Sequence, residues 1–371
     1  MKKVVLIEPV LAHYRHDLYQ AYMNCEDFNF EIIAGKKFKG IKSLTDDHYH
    51  TFNYLTFKFF NHRFYYLIGS VRFVFSCKPF IIISTGVDFH LMHTIFLFIL
   101  FRLLLRKKFY WWSHGTFGNQ GKPGILCRKI LYRAASGVFA YTREGKENLV
   151  SLGVREENIQ VVGNALNHKD YGYLNHDIYT KVSKQKAFKI LFSGRITEHR
   201  KLDILINAVS ILKRKSSFQY ACYIIGDGDI EPLKKMAEEL EVNDLIEFTG
   251  PKYGEEVYKY FLDSDLFVHP GGTGLAMVHA FSFGLPVITT DDFFIQMPEI
   301  ELLVPGETGD LFKDDSPEDL TQKILVWKDK ILKSGNDIKR KCVNRIEELG
   351  YLPEKVSGAV IDFLKERHII S

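Results

Sequence analysis

The sequence predicts an α/β protein built from two doubly wound, Rossmann-like domains, and three observations carry that expectation. Short apolar β-runs alternate with helical segments through both halves, which implies parallel sheets covered by helices on both faces. The 371 residues exceed what one hydrophobic core usually serves. A polar, tyrosine-rich segment, 167–188, separates the halves. The composition, 46% apolar and 25% charged, is that of a globular chain with ample core.

The first domain, 1–166, opens with MKKVVLIEPV. Its apolar run is interrupted by Glu8 and Pro9 and lacks a small-residue cleavage site, so it reads as a first strand rather than a leader. Further strands are expected at 30–34, 81–84, 109–113, 137–141 and 159–162, with helices such as GKPGILCRKILYRAA and REGKENLVSLG between them. The second domain, 189–350, repeats the pattern with strands at 190–193, 220–225, 246–249, 266–269 and 286–289 and a short one at 310–312. A last helix, 351–371, is expected to pack back toward the first domain. A ligand is expected in the cleft between the domains, at the carboxyl ends of the strands.

Charge is distributed unevenly. Residues 1–170 hold 23 Lys and Arg against 13 Asp and Glu, a net +10, which leaves −6 for the remainder of a chain of net +4. Within 36–133 the balance is 16 against 3, interleaved with aromatic residues in FKFFNHRFYYLIGSVRFVF and LFRLLLRKKFYWW. Such a stretch suits an anionic membrane surface or a phosphorylated substrate; the alternative is an aromatic core with a solvated basic rim. No recognised motif accompanies it, which argues against nucleic acid. The run at 89–108 is interrupted by His90, His93 and Arg102 and is too short to span a bilayer, so a buried or interfacial helix is expected. Five cysteines (Cys25, Cys77, Cys127, Cys222, Cys342) are far apart and odd in number. They fit neither a disulfide framework nor a zinc site, and suggest a reducing, cytoplasmic setting.

The stretch with the most chemical content is LFVHPGGTGLAMVHAFSFGLPVITT, 266–290. A buried strand ends in a glycine-rich turn, Gly271, Gly272 and Gly274, that opens a helix. Such a turn lets a ligand approach the backbone, with the amides around Thr273 to Ala276 and the helix dipole aimed at it. It fits a phosphate or diphosphate, or serves as a plain connection. In FSGRITEHRKLDILINAV, Arg195 follows a strand while Arg200 and Lys201 stand where the next helix begins; cations so placed grip a diphosphate. Asp227-Gly228-Asp229 is either a metal-binding DxD or a tight turn in which Asp229 caps the following helix. WWSHGTFG places His114 in a loop at a strand end, in a structural role or facing a sugar.

Taken together, these segments resemble retaining glycosyltransferases of family 4, which have the GT-B fold. GRITEHRKLDILINA is similar to the family's "GRL…KGxDxLIxA", YIIGDGDIEPLKKMAEELEVNDLIEFTG to "xIxGxGxxxxxLxxxAxxLxxxxxVxFxG", and LFVHPGGTGLAMVHAFSFGLPVIT to "FVxPSxxEGFGLxxxEAxAxGxPVI". The resemblance runs from Val4 to about Leu349. It implies that Arg195 and the Arg200/Lys201 position hold the donor diphosphate, with Glu299 near the same ligand. It also implies that Gly271, Gly272, Thr273, Gly274 and Leu275 serve the phosphate and sugar, and that Pro251, Lys252 and Tyr253 lie near the base. His114 matches the histidine that approaches the transferred sugar. Departures are as informative. Gly271 and His279 stand where the family has two glutamates, Thr273 where it has an aromatic residue. The loop after the first strand offers His13, Tyr14 and Arg15, on the acceptor side, in place of glycines. At the second glutamate position, a neutral His279 could accept one hydrogen bond from a ribose hydroxyl.

The resemblance implies a retaining, metal-independent glycosyltransferase of hexosyltransferase type with no cofactor beyond its nucleotide-sugar co-substrate. Its acceptor is expected to be a glycan or lipid-linked glycan of a surface polysaccharide, lipopolysaccharide or capsule. The expected site of action is the inner face of the cell membrane, reached peripherally. The alternatives are a non-catalytic nucleotide- or partner-binding descendant and a nucleotide-sugar epimerase of the same fold.

Overall fold

The computed structural model of the protein describes residues 1–38, 41, 43, 44, 46, 48–60, 62–116, 122–179 and 187–369. The chain forms two compact units, one comprising 1–167 and 350–371, the other 168–349. Of the expected linker, 180–186 lie outside the described residues, as do Phe117 and Gly118 of the His114 loop.

In the first unit, β1 (Lys2–Val10), β2 (Phe28–Gly35), β3 (His50–Phe52), β6 (Ile81–Thr85), β7 (Lys108–Ser113), β8 (Gly137–Ala140) and β9 (Ile159–Val161) make a seven-stranded parallel sheet. Its order is β3-β2-β1-β6-β7-β8-β9. Continuous apolar runs such as Val4–Ile7 are buried because helices cover both faces. On one face lie α2 (Ser70–Cys77), α3 (Met92–Leu97), α4 (Lys122–Ala134) and α5 (Arg143–Ser151), contributing Val74, Leu97, Tyr132 and Leu149. On the other lies α1 (His16–Met23), whose Leu18, Tyr19 and Tyr22 point inward. Trp111 of β7 is fully buried and stacks on Phe98 at 5.1 Å. Truncating it to alanine would cost about 3–5 kcal/mol.

The region 54–67 differs from a simple aromatic stripe. It forms an antiparallel hairpin, β4 (Tyr54–Phe59) with β5 (His62–Leu67), separate from the main sheet. Phe57 pairs with Phe64, their rings stacked 5.5 Å apart. The expected helix at 89–108 is α3 followed by a π-helical stretch, Phe98–Leu104, with inner side chains Phe98 and Phe101. No helix among the described residues is long and apolar enough to cross a membrane.

The second unit contains β10 (Ala187–Ser193), β11 (Gln219–Ile225), β12 (Ile246–Gly250), β13 (Leu266–His269), β14 (Val287–Thr290) and β15 (Gly309–Phe312), all parallel. They are ordered β12-β11-β10-β13-β14-β15. The order reverses between β10 and β13, and the crevice at the carboxyl ends of those two strands is where such sheets bind ligands. Helices α6 (Gly172–Asn175), α7 (Leu202–Lys215), α8 (Glu231–Glu239), α9 (Glu255–Asp263), α10 (Leu275–Ser282) and α11 (Pro317–Glu348) complete the unit. On α7, the buried positions Leu202, Leu205, Ile206, Val209 and Leu212 recur at helical spacing and form its core face. Gly172 of α6 has no room for a Cβ, which would meet the Phe283 ring at 2.6 Å.

A final helix, α12 (Pro353–His368), belongs to the first unit and packs on the α1 side of its sheet through Val356, Val360 and Leu364. Its Lys365 pairs with Asp27 at 2.8 Å.

Candidate diphosphate site

In the second unit the residues around the reversal of strand order pack backbone against backbone. A Cβ on Gly271 would lie 2.2 Å from the His199 carbonyl oxygen, and one on Gly272 2.0 Å from that of Ile295. Gly226, after β11, would meet the Gly194 carbonyl oxygen at 1.8 Å. Only glycine permits these approaches. They draw the loops after β10, β11, β13 and β14 into one floor. Gly274, at φ +56°, then starts α10, which no side chain caps, so its first-turn amides are open to a ligand.

Arg195 follows β10 directly and is exposed. Arg200 sits in a 3-10 turn, Glu198–Arg200, and donates to the Gly272 carbonyl. Burial first, and then the positive charge of Arg195, lowers the Arg200 pKa. Two guanidinium groups close enough to repel each other, beside open helix amides, make an anion site.

Lys201 has a different place from the one expected. Its backbone is left-handed, φ 52°, at the start of α7, and its ammonium is held by Asp314 at 2.6 Å and Asp315 at 2.8 Å. The Arg200/Lys201 position therefore divides: Arg200 faces the glycine turn while Lys201 ties α7 to the loop after β15. Asp229 accepts from the Glu231 amide at 3.2 Å and Gly228 presses on the Ile196 carbonyl, so Asp227-Gly228-Asp229 is a tight turn leading into α8. The amide of Thr273 is taken by Gln296 Oε1 at 3.3 Å, so of the turn's expected donors it is already satisfied within the protein.

His279 lies on α10 with its ring 4.2 Å from that of Phe261 and 5.4 Å from that of Phe283. Its Nε2 is buried and takes no hydrogen bond among the described residues, and burial pushes its pKa down to about 4. The imidazole is thus neutral and packed in an aromatic wall. Glu299 is buried in the 3-10 turn Pro298–Leu302, against α10. Pro251, Lys252 and Tyr253 follow β12, with Tyr253 exposed.

In the first unit, His13 and Tyr14 occupy the turn after β1 and are partly exposed. Arg15 does not join them: it is buried, paired with Glu8 at 3.3 Å and donating to Tyr141 Oη at 3.1 Å and Asn164 Oδ1 at 2.8 Å. An acceptor-side contact is replaced by an internal tie between the β1 loop and the loops after β8 and β9. His114 follows β7 and stacks on Tyr141, ring centroids 4.0 Å apart. Burial, with the Arg15 charge behind it, pushes its pKa down to about 4.

Sequence reasoning missed the support beneath the glycine turn. His269, at the end of β13, is fully buried with Nδ1 3.1 Å from the Gly271 carbonyl, which can only accept, so that nitrogen carries the proton. Thr289 donates to the same carbonyl at 3.0 Å, and Gln296 donates to Thr289 and to the Thr290 carbonyl. The only signal was the polar character of His269 and Thr289 in otherwise apolar strands.

Two parallel sheets with reversed strand order and a strand-end anion site in the second unit define a protein of the GT-B fold class. The likeness is full-length: an Anabaena protein, HepE, solved in complex with UDP, superimposes with a TM-score of 0.71 at 15% identity over 99% of this chain and 100% of that one. Residues 177–344 match the family described as glycosyl transferases group 1. An uncharacterized glycosyltransferase of Methanocaldococcus jannaschii is 24% identical over 56% of this chain and 52% of its own. The amylovoran biosynthesis glycosyltransferase AmsK of Erwinia amylovora is 27% identical over 40% and 38%. The matches thus span about half or less of these curated relatives.

Proposed function

We propose that the protein is a retaining glycosyltransferase that moves a hexosyl unit from a nucleotide sugar to a glycan or lipid-linked glycan during surface polysaccharide synthesis, without a metal. The observation that carries this reading is Arg200 donating to the Gly272 carbonyl just before the uncapped start of α10, with the Arg195 charge beside it, at the reversal of strand order. Charge that develops on a departing nucleoside diphosphate would meet fixed donors there, which is where electrostatic catalysis has its largest effect. The amylovoran assignment of AmsK and the UDP bound to HepE support the substrate classes. His114, neutral and held flat against Tyr141, suits a hydrogen-bonding role toward the sugar rather than a proton-transfer role near neutral pH. Glu299 is assigned to the neighbourhood of the donor diphosphate, Tyr253 to the base, and His13 and Tyr14 to the acceptor. The site of action we assign is the cytoplasmic face of the cell membrane.

The test is incubation with a panel of UDP-, GDP- and dTDP-sugars plus lipid-linked acceptor, following nucleoside diphosphate release. Release from one donor, with the product keeping that donor's anomeric configuration, supports the reading. Binding of nucleotide without turnover on any acceptor would favour a non-catalytic protein, as the Gly271 and His279 positions would allow.

A further inference from the structure

Helices α2, α3 with its π-helical continuation, and α4 form one layer on the first sheet, and their inner sides are core. Their outer sides are apolar as well: Phe75, Phe96, Ile99, Leu103, Leu126 and Ile130 are all exposed, Ile130 by 58%. Met92, Phe96, Ile99 and Leu103 fall on a single stripe at helical spacing, running about 16 Å along the layer. At one end the stripe meets the β4–β5 hairpin, where the Tyr65 amide donates to the His90 carbonyl at 2.8 Å and Tyr65 pairs with Leu91. The distal half of that hairpin is open on both faces, with Phe59 63% and Phe60 82% exposed. At the other end the helix runs into Arg102, Arg106, Lys107 and Lys108. Between residues 48 and 143 the sequence holds 13 lysines and arginines and a single acid, Asp88.

We propose that this helical layer and the hairpin together form a docking surface for an anionic lipid bilayer, with Phe59, Phe60 and the Ile99–Leu103 stripe inserted among the headgroups and the basic cluster on their phosphates. The charge pattern selects lipid as the occupant. Each lysine or arginine near an anionic leaflet adds to the attraction, and the near absence of acids over this long stretch removes the repulsion a mixed surface would have. The apolar side chains are spread over the outer sides of several helices and a two-sided hairpin, which suits the soft headgroup boundary rather than a single shaped protein partner. The proposal rests on the lipid-linked acceptor reading for its purpose, whereas docking itself is measured without donor or acceptor.

The experiment is sedimentation of the full chain with phosphatidylcholine vesicles and with vesicles containing about 30% phosphatidylglycerol, at about 0.05 and 0.5 M salt. Phe59→Ser/Phe60→Ser and Arg106→Glu/Lys107→Glu are compared with wild type, with thermal midpoint and UDP affinity measured on each. Binding confined to anionic vesicles, weakened by salt and reduced at least about tenfold in both variants with unchanged midpoint and UDP affinity, is the expected result. Wild type remaining in the supernatant, or variants that bind like wild type, overturns the proposal. So does a dimer in sedimentation equilibrium that Phe59→Ser/Phe60→Ser dissolves, which would assign the face to a second copy of the chain. Vesicle binding without binding of UDP, GDP or dTDP leaves the docking surface standing and removes the transferase reading.

Discussion

The guanidinium of Arg200 donates to the carbonyl of Gly272, joining the loop after β10 to the turn that opens α10. Arg200 is thereby held in place before any ligand arrives, whereas Arg195 stays exposed. The two arginines differ: one is fixed in the floor, the other is exposed, and in the proposed site it is the exposed one that would close on a diphosphate.

Arg195→Ala should therefore lower turnover by about 100-fold or more while leaving the thermal midpoint unchanged, because a charge-assisted contact to the leaving group is removed from an exposed residue. Arg200→Ala should lower both. Steady-state kinetics and calorimetry on the two variants check this; an Arg195→Ala enzyme within about threefold of wild type would sink the clamp.

Glycine positions give a contrast. Gly272→Ala forces a Cβ to 2.0 Å from the Ile295 carbonyl and should cost about 1–3 kcal/mol together with nucleotide affinity. Gly358→Ala, within α12 with nothing within 4 Å of its Cβ, should stabilise by about 0.5–1 kcal/mol. Urea unfolding of both proteins is the measurement, and equal effects would contradict the close packing described at the turn.

Histidines enclosed to different degrees, His93 and His269 buried and His114 and His279 partly so, set an acid limit. Burial pushes the pKa of His93, His114 and His279 down to about 4 and that of His269 to about 3, below the usual value of 6.5. Each is neutral in the folded chain while its unfolded counterpart takes up a proton below about pH 6.5, so stability falls as pH falls from 6.5 toward 4. The slope contributed by each is at most about 1.4 kcal/mol per pH unit. Melting curves from pH 7.5 to 5 should show the loss, and His93→Leu should make it shallower; a slope unchanged by that substitution would refute the assignment.

His279 offers a direct choice between packing and recognition. Surrounded by Phe261 and Phe283, it should tolerate His279→Leu with UDP affinity within about threefold of wild type, whereas a hydrogen bond to the ribose would be lost at about 1–2 kcal/mol. Isothermal titration distinguishes the two.

Activity should also survive excess EDTA, since Asp229 is engaged in capping α8. Loss on chelation with recovery in manganese would return a metal to the mechanism.

What could be read from the sequence were features written in contiguous residues. The strand-end Gly194-Arg195 and the Gly271 to Gly274 turn announce themselves because close backbone approach needs glycine within a few positions of a strand. The parallel strands are legible because burial on both faces makes them continuous apolar runs. Contacts between distant segments were not. Lys201 meets Asp314 only through the fold, and Arg15 turns inward because Tyr141 and Asn164 reach it from other loops. The aromatic packing of His279 was hidden for the same reason, because Phe261 comes from α9 and Phe283 from the end of its own helix. The hairpin at 54–67 escaped notice because aromatic and basic residues occupy both its faces, leaving no alternation to mark an inside and an outside.

Helix α12 completes the first unit only after the second has been made. The segment 168–349 is topologically a guest inserted into a host. On the ribosome the guest can fold first, while the host waits with the surface that α12 covers, including Tyr22 of α1 and Tyr110 and Phe139 of the sheet, open until Val356, Val360 and Phe363 emerge. The part synthesised earliest is therefore the last to be finished.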